Sequence, residues 1–202
     1  MNAWHYLPDW QVASALLSGV LGLLAGFFYA RDMLRGGTTK PNAITFVLWT
    51  LCQAIALTAQ LRSGASWSIV VVITATVNTG GIACLALAGY GYRRYGWLDA
   101  WCGVSSLVAI VLWQETGDPM LAIAFAIIAD VFASAPTVKK VISEPETEHV
   151  GGWTLIVLST AFAIISTTKW DLPNLVFPTY LLLMNFLILV FAYFGRPKRR
   201  QY

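Results

Sequence analysis

Residues 67 to 92, WSIVVVITATVNTGGIACLALAGYGY, form an apolar run long enough to cross a bilayer, with Asn78 near its middle. Residues 174 to 197, NLVFPTYLLLMNFLILVFAYFGRP, repeat the arrangement, with Asn185 at the matching depth. Basic residues follow both runs: Arg93 and Arg94 after the first, and Arg196, Lys198, Arg199 and Arg200 after the second. An amide in hydrocarbon needs hydrogen-bond partners or water, so two at one depth predict a shared polar cavity.

Outward from these two runs, the remaining chain is of the same kind. Its 202 residues are 57% hydrophobic and only 11% charged, and the mean hydropathy is +0.65, far above that of a soluble domain. The sequence therefore predicts an all-α, multi-pass integral membrane protein. Seven segments have spanning length: Val12 to Ala30, Ala43 to Leu61, Trp67 to Gly89, Trp97 to Glu115, Pro119 to Val138, Gly152 to Thr168 and Asn174 to Gly195. No positive region precedes the first, so it reads as a mature helix rather than a signal peptide. Cys52, Cys84 and Cys102 all fall inside spans, which makes them packing residues and leaves no metal site or disulfide framework.

The net charge of +3 does not point to nucleic acid, because its distribution carries the meaning. With the N-terminus outside, the inner side holds Arg31, Arg35, Lys40, Arg93, Arg94, Lys139, Lys140, Arg196, Lys198, Arg199 and Arg200, and the outer side only Arg62 and Lys169. Eleven of the thirteen basic residues on one side predict an N-terminus outside and a C-terminus in the cytoplasm. Residues 1–11 then form an extracytoplasmic leader whose Trp4, Tyr6 and Trp10 suit the interface. His5 reads as interfacial, and the basic tail at 196–202 as an anchor that also meets anionic lipid.

Within the spans, polar and special residues are few. Gly19, Gly22 and Gly26 line one face of the first helix, where they permit close approach of a neighbour or, for Gly22 and Gly26, hinge motion. Trp49 and Gln53, four apart, share a face of the second helix that should look into the bundle. Asp130 is the one carboxylate well inside a span, at a cost of roughly 2.5 to 3.5 kcal/mol if ionised and unpaired. Pro136 in the same helix is a candidate hinge, Pro178 a kink in the last, and Ser159 and Thr160 are polar positions of the sixth. The acidic run Glu144, Glu146, Glu148, with His149, reads as a solvated loop.

The 107 residues separating Asn78 from Asn185 define an offset that can be applied to every early span. Val12 to Ala30 then falls on Pro119 to Thr137, Ala43 to Leu61 on Val150 to Thr168, and Trp67 to Gly89 on Asn174 to Arg196. The expected organisation is two three-helix units, residues 12–92 and 119–195, joined by a linker helix within 93–118. The odd linker gives both units the same orientation, so they are parallel repeats in a three-plus-one-plus-three plan. Transporters built from such repeats bind solute near the midplane between them.

At this level the chain resembles the SWEET sugar transporters and the wider PQ-loop (MtN3-like) group. The resemblance covers nearly the whole chain, chiefly as architecture, and Thr76-Val77-Asn78-Thr79-Gly80 is similar to the family's helix 3 asparagine motif. It implies that Asn78 and Asn185 line a sugar pocket with Trp49, and that Ser159 or Thr160 faces them. The sequence departs from the family where hinge prolines belong: Tyr29 stands at the position the repeat assigns to one, and Pro136-Thr137 stands in place of the PQ dipeptide. Pro173-Asn174 also resembles a family motif, which makes Asn174 a rival to Asn185, although it falls near the outer surface.

The expected function is transport of a small polar solute, most readily a sugar, by alternating access through a central pocket of Asn78, Asn185, Trp49, Gln53, Ser159 and Thr160. Two amides can donate to and accept from hydroxyls, and an indole face suits a sugar ring. Asp130 raises a proton-coupled variant for amino acids, as in one branch of the PQ-loop group, and vitamin carriers similar to PnuC share the seven-helix plan. A non-transporting membrane scaffold is the reading from a different class, since buried Asn also joins helices. The expected partners are the solute and the lipid bilayer, with no cofactor, and a homo-oligomer is compatible with the pattern. A retinal photoreceptor is discarded because the last helix has no mid-span lysine, and an enzyme because His5 and His149 lie outside the spans while Asp130 stands alone.

Overall fold

The computed structural model describes residues 9–92, 95–114 and 118–195. Among the described residues the chain is all-helical, with seven α-helices: α1 (Asp9–Leu34), α2 (Ala43–Arg62), α3 (Ile69–Leu85), α4 (Trp97–Gln114), α5 (Pro119–Ser143), α6 (Val150–Ile165) and α7 (Leu172–Phe194). Most of the expected leader, including Trp4, His5 and Tyr6, lies outside the described residues, as do Arg93, Arg94 and the basic tail from Arg196.

Polar caps set the helix starts. Asn42 accepts hydrogen bonds from the backbone N–H groups of Ile44 and Thr45 at the start of α2, and Asp118 from Met120 ahead of Pro119 at the start of α5. His149 caps α6 through Gly152 N–H, and Asp171 caps α7 through Asn174 N–H. Each satisfies a donor that the first turn leaves without an intrahelical acceptor. At its far end α3 widens into a π turn, Ala86–Tyr90, which stops at Gly89 with φ of 109°, a conformation that glycine adopts without strain.

Among the described residues five helices, α1, α2, α3, α5 and α7, are long and apolar enough to cross a membrane. Helix α6 is apolar but has 16 residues, about 24 Å at 1.5 Å per residue against a hydrocarbon core of about 30 Å. It ends at Ile165 rather than Thr168 because Ser166 turns its hydroxyl onto the Ala163 carbonyl, 2.7 Å away. Conversely, α5 continues past the expected Val138 to Ser143, straight through Pro136.

The distribution of polarity is that of a membrane protein. Large apolar side chains such as Phe27, Val77 and Leu183 are 60%, 60% and 65% exposed, whereas Gln53, Gln60, Asp130, Ser159 and Asn174 are buried. Such a surface is stable where its surroundings are hydrocarbon.

Helix α3 packs against both α1 and α2, and α7 against both α5 and α6; α1 also packs on α6, and α2 on α5. Helix α4 lies against α5 and, more lightly, α2. These contacts enclose an interior whose wall is drawn from α1, α2, α3, α5, α6 and α7.

Candidate functional site

The interior holds a cavity of about 70 Å³, room for several water molecules. Asn78, Asn185, Trp49, Gln53, Thr160, Asp130 and Gly26 all line it, joined by Tyr29, Phe46, Thr79, Trp153, Ile156 and Met184 among others. Three of the candidate residues stand elsewhere. Ser159 lies one position round α6 and is fully buried, donating to the Ser18 carbonyl at 2.7 Å. Gly22 meets the site only through its carbonyl, which accepts from Asn78 Nδ2 at 2.7 Å. Pro136 lines a separate recess beside Asn42, Tyr92 and Asp99.

Asn174 is also away from the cavity. It is fully buried near the other end of α7, where its Oδ1 accepts from Ser66 N–H at 2.9 Å and its Nδ2 donates to Asp171 at 2.8 Å. Its work is to join the 62–68 turn to the start of α7. Asn185, by contrast, is half-buried and lines the cavity wall.

Positions 107 residues apart line this one cavity in four pairs: Phe46 with Trp153, Trp49 with Ile156, Gln53 with Thr160, and Asn78 with Asn185. The offset therefore contained the signal for Trp153 and Ile156, which residue type alone did not single out. Tyr29, the stand-in for a hinge proline, belongs to the same wall.

Four of the lining rings touch in a closed circuit. Ring centroids are 5.8 Å apart for Tyr29 and Phe46, 4.9 Å for Phe46 and Trp49, 6.1 Å for Trp49 and Trp153 and 6.4 Å for Trp153 and Tyr29. The contacts are mostly edge-to-face, the arrangement ring quadrupoles favour. Both indole N–H groups are engaged away from the cavity: Trp49 donates to Ser134 Oγ at 2.8 Å, and Trp153 to Glu148 Oε2 at 2.9 Å.

Asp130 sits beside this circuit at 1% exposure. Its Oδ2 accepts from Tyr180 at 2.6 Å and from Ser134 at 3.3 Å, while its buried Oδ1 has no hydrogen-bond partner. Among the described residues no lysine or arginine lines the cavity.

At the end of the cavity marked by Tyr29 and Trp153, the acidic run expected as a solvated loop is divided: Glu146 is exposed, Glu144 and His149 are half-buried, and Glu148 is built into the core. Glu148 is fully buried; it pairs with Lys140 at 2.5 Å and accepts from Tyr29 at 2.8 Å and from Trp153. Glu144 accepts from Tyr92 at 3.2 Å. The reason is Lys140, itself 4% exposed, which donates to the Lys40 carbonyl at 2.7 Å and lies 5.6 Å from the centre of the Tyr92 ring. A buried ammonium needs an anion, and Glu148 supplies it. Beyond this pair opens a recess of about 670 Å³ bounded by Lys40, Tyr92, Glu144, Glu146 and Thr147.

Among the described residues no cluster of His, Cys, Asp and Glu could hold a metal ion, and the three cysteines are free. No family model, curated protein or solved structure matches this chain.

Proposed function

We propose that the chain is a transporter that moves a small polar solute across a membrane by alternating access, with the cavity between α1–α3 and α5–α7 as the solute site. The observation that carries this reading is the pairing of wall positions across the 107-residue offset, since a binding site at a repeat interface draws equivalent residues from both units. The helix packing supports it: exchanging α1 with α5, α2 with α6 and α3 with α7 carries the packed pairs onto one another. In this reading α4 is the linker, the two units are parallel, and the N-terminus lies outside.

Asn185, Gln53 and the Oδ1 of Asn78 offer hydrogen bonds to a solute, and the aromatic circuit offers apolar surface. That combination suits a sugar-sized molecule with hydroxyl groups, the solute the family resemblance implies. The Lys140–Glu148 pair closes one end of the site, between the cavity and the recess at Lys40, and its separation would open the cytoplasmic path. Asp130 lines the cavity with a buried Oδ1 that has no hydrogen-bond partner, which supports coupling to protons as part of the proposal.

The test is uptake of radiolabelled sugars, amino acids and nicotinamide riboside into liposomes carrying the purified protein. Asn185→Ala should keep the fold and lose uptake, because among the described residues this amide makes no interhelical hydrogen bond and lines the cavity wall. Equal uptake by the two proteins would move the function away from this cavity.

A further inference from the structure

The solute's hydroxyl partners are only part of what the cavity presents. Asp130 brings a carboxylate into the wall, nine-tenths or more buried, with Oδ1 aimed at no protein donor. Of the two basic side chains on its own helix, Lys139 is exposed and Lys140 is engaged with Glu148 and with the Lys40 carbonyl. From the helices packed on α5, the titratable groups beside Asp130 are Cys52 of α2 and Tyr180 of α7, both neutral in their ordinary states. On α4, Asp99 is taken up by Asn42 and Gly96 at the far end of that helix, and Glu148 beside the 145–147 turn is held by Lys140.

A carboxylate in a membrane interior is retained when a proton or another cation compensates it. The wall next to it is aromatic, and because both indole N–H groups are turned onto Ser134 and Glu148, the rings offer the cavity aromatic carbon surface rather than donors. Aromatic surface beside an anion is the chemistry that holds ammonium and quaternary ammonium groups. Trp49 and Asp130 are joined through one hydroxyl, Ser134, which accepts from the indole N–H and donates to Asp130 Oδ2.

We propose that the solute of this cavity carries a single positive charge, an ammonium or quaternary ammonium group, which Asp130 balances and the aromatic circuit of Trp49 and Trp153 receives. The inference rests on the reading of the cavity as a solute site and names the charge of what it takes. The cation and a proton then compete for one carboxylate: binding releases the proton from a protonated Asp130, and the total charge of the site is conserved. Exchange of a cation for a proton across the membrane follows from that competition.

The experiment uses the full chain in lipid nanodiscs and two pairs of probes that differ in charge and little in shape: choline with 3,3-dimethylbutan-1-ol, and glucosamine with glucose. Titration calorimetry should give the charged member at least tenfold tighter binding in each pair. Choline, which has no proton to lose, should bind more tightly as pH rises until the carboxyl is fully ionised, and should release protons into a weakly buffered medium below that point. Asp130→Asn should bring charged and neutral members to equal affinity, with Asp130→Glu retaining the preference as a control for the fold. Equal affinities in the unaltered protein, or a preference that survives Asp130→Asn, would overturn the inference. If neutral glucose is taken up, and Asn185→Ala abolishes it, while no cation preference appears, the charge assignment falls and the transport reading stands. If neither member of either pair binds, the charge assignment falls, and the Asn185→Ala uptake comparison decides the transport reading separately.

Discussion

Asn78 and Gly22 join α3 to α1: the amide Nδ2 of Asn78 donates to the Gly22 carbonyl at 2.7 Å. The bond exists because α1 has no side chain in the way. A Cβ at Gly26 would stand 2.1 Å from Asn78 Oδ1, and one at Gly22 would stand 2.6 Å from Thr74 Oγ1. Gly26→Ala should therefore turn Asn78 out of the cavity wall and cost about 1–3 kcal/mol through overpacking. Gly81→Ala, where a Cβ meets nothing within 4 Å, should be neutral or stabilising by up to about 1 kcal/mol through helix propensity. Thermal unfolding of the two variants side by side checks both, and equal melting temperatures would contradict the close approach.

Lys140 and Glu148 should respond very differently to single and paired substitution. Glu148→Ala leaves a buried ammonium without its anion, and removes the acceptor shared by Tyr29 and Trp153. The expected loss is about 3–5 kcal/mol. Lys140→Met combined with Glu148→Gln removes both charges and keeps a carbonyl oxygen for Tyr29 or Trp153, so most of that loss should return. A double-mutant cycle on thermal stability measures the coupling, and simple additivity of the two single effects would show that the pair acts independently.

How much of this site the sequence carried can be seen residue by residue. Asn78, Asn185, Trp49 and Gln53 were legible because a polar or aromatic side chain deep in an apolar run has few places to go but inward. The seven helices were legible from run length, and their boundaries less so, because caps at Asn42, His149 and Asp171 and the serine at 166 set them locally. Glu148 was not legible: a glutamate among glutamates after a span looks solvated, and only the fold brings Lys140, Tyr29 and Trp153 onto it. Of Ser159 and Thr160, the two positions offered on α6, Thr160 lines the cavity and Ser159 does not, since one step along a helix is a rotation of about 100° that moves a side chain from one face to another.

Asn174 should behave as a structural residue where Asn185 does not. Its Oδ1 is the acceptor for the buried Ser66 N–H, so Asn174→Ala leaves that donor unpaired at a cost of about 1–3 kcal/mol. Asn174→Asp keeps the acceptor but sets a second carboxylate against Asp171, now its hydrogen-bond partner, and should recover only part of the loss. Neither change should alter solute affinity in protein that remains folded, since Asn174 lies off the cavity. Chemical denaturation and a binding isotherm on the same preparation separate the two effects.

The short α6 makes the membrane crossing itself testable. Glu146 and Trp170 are exposed residues just beyond its two ends, and the proposed orientation, drawn from the bias of basic residues toward one side, would put Glu146 in the cytoplasm and Trp170 outside. With Cys52, Cys84 and Cys102 replaced by alanine, a single cysteine at position 170 should react with a membrane-impermeant maleimide added to intact cells. A single cysteine at 146, or at the exposed Thr38 between α1 and α2, should react only after the membrane is opened. To cross, its sixteen residues would need a bilayer that thins locally or is met by polar side chains at the helix ends, at a fraction of a kcal/mol per Å of mismatch. Labelling of positions 146 and 170 from the same side would mean that α6 does not cross, and α7 would then run opposite to α3, which would overturn the proposed parallel arrangement of the two units.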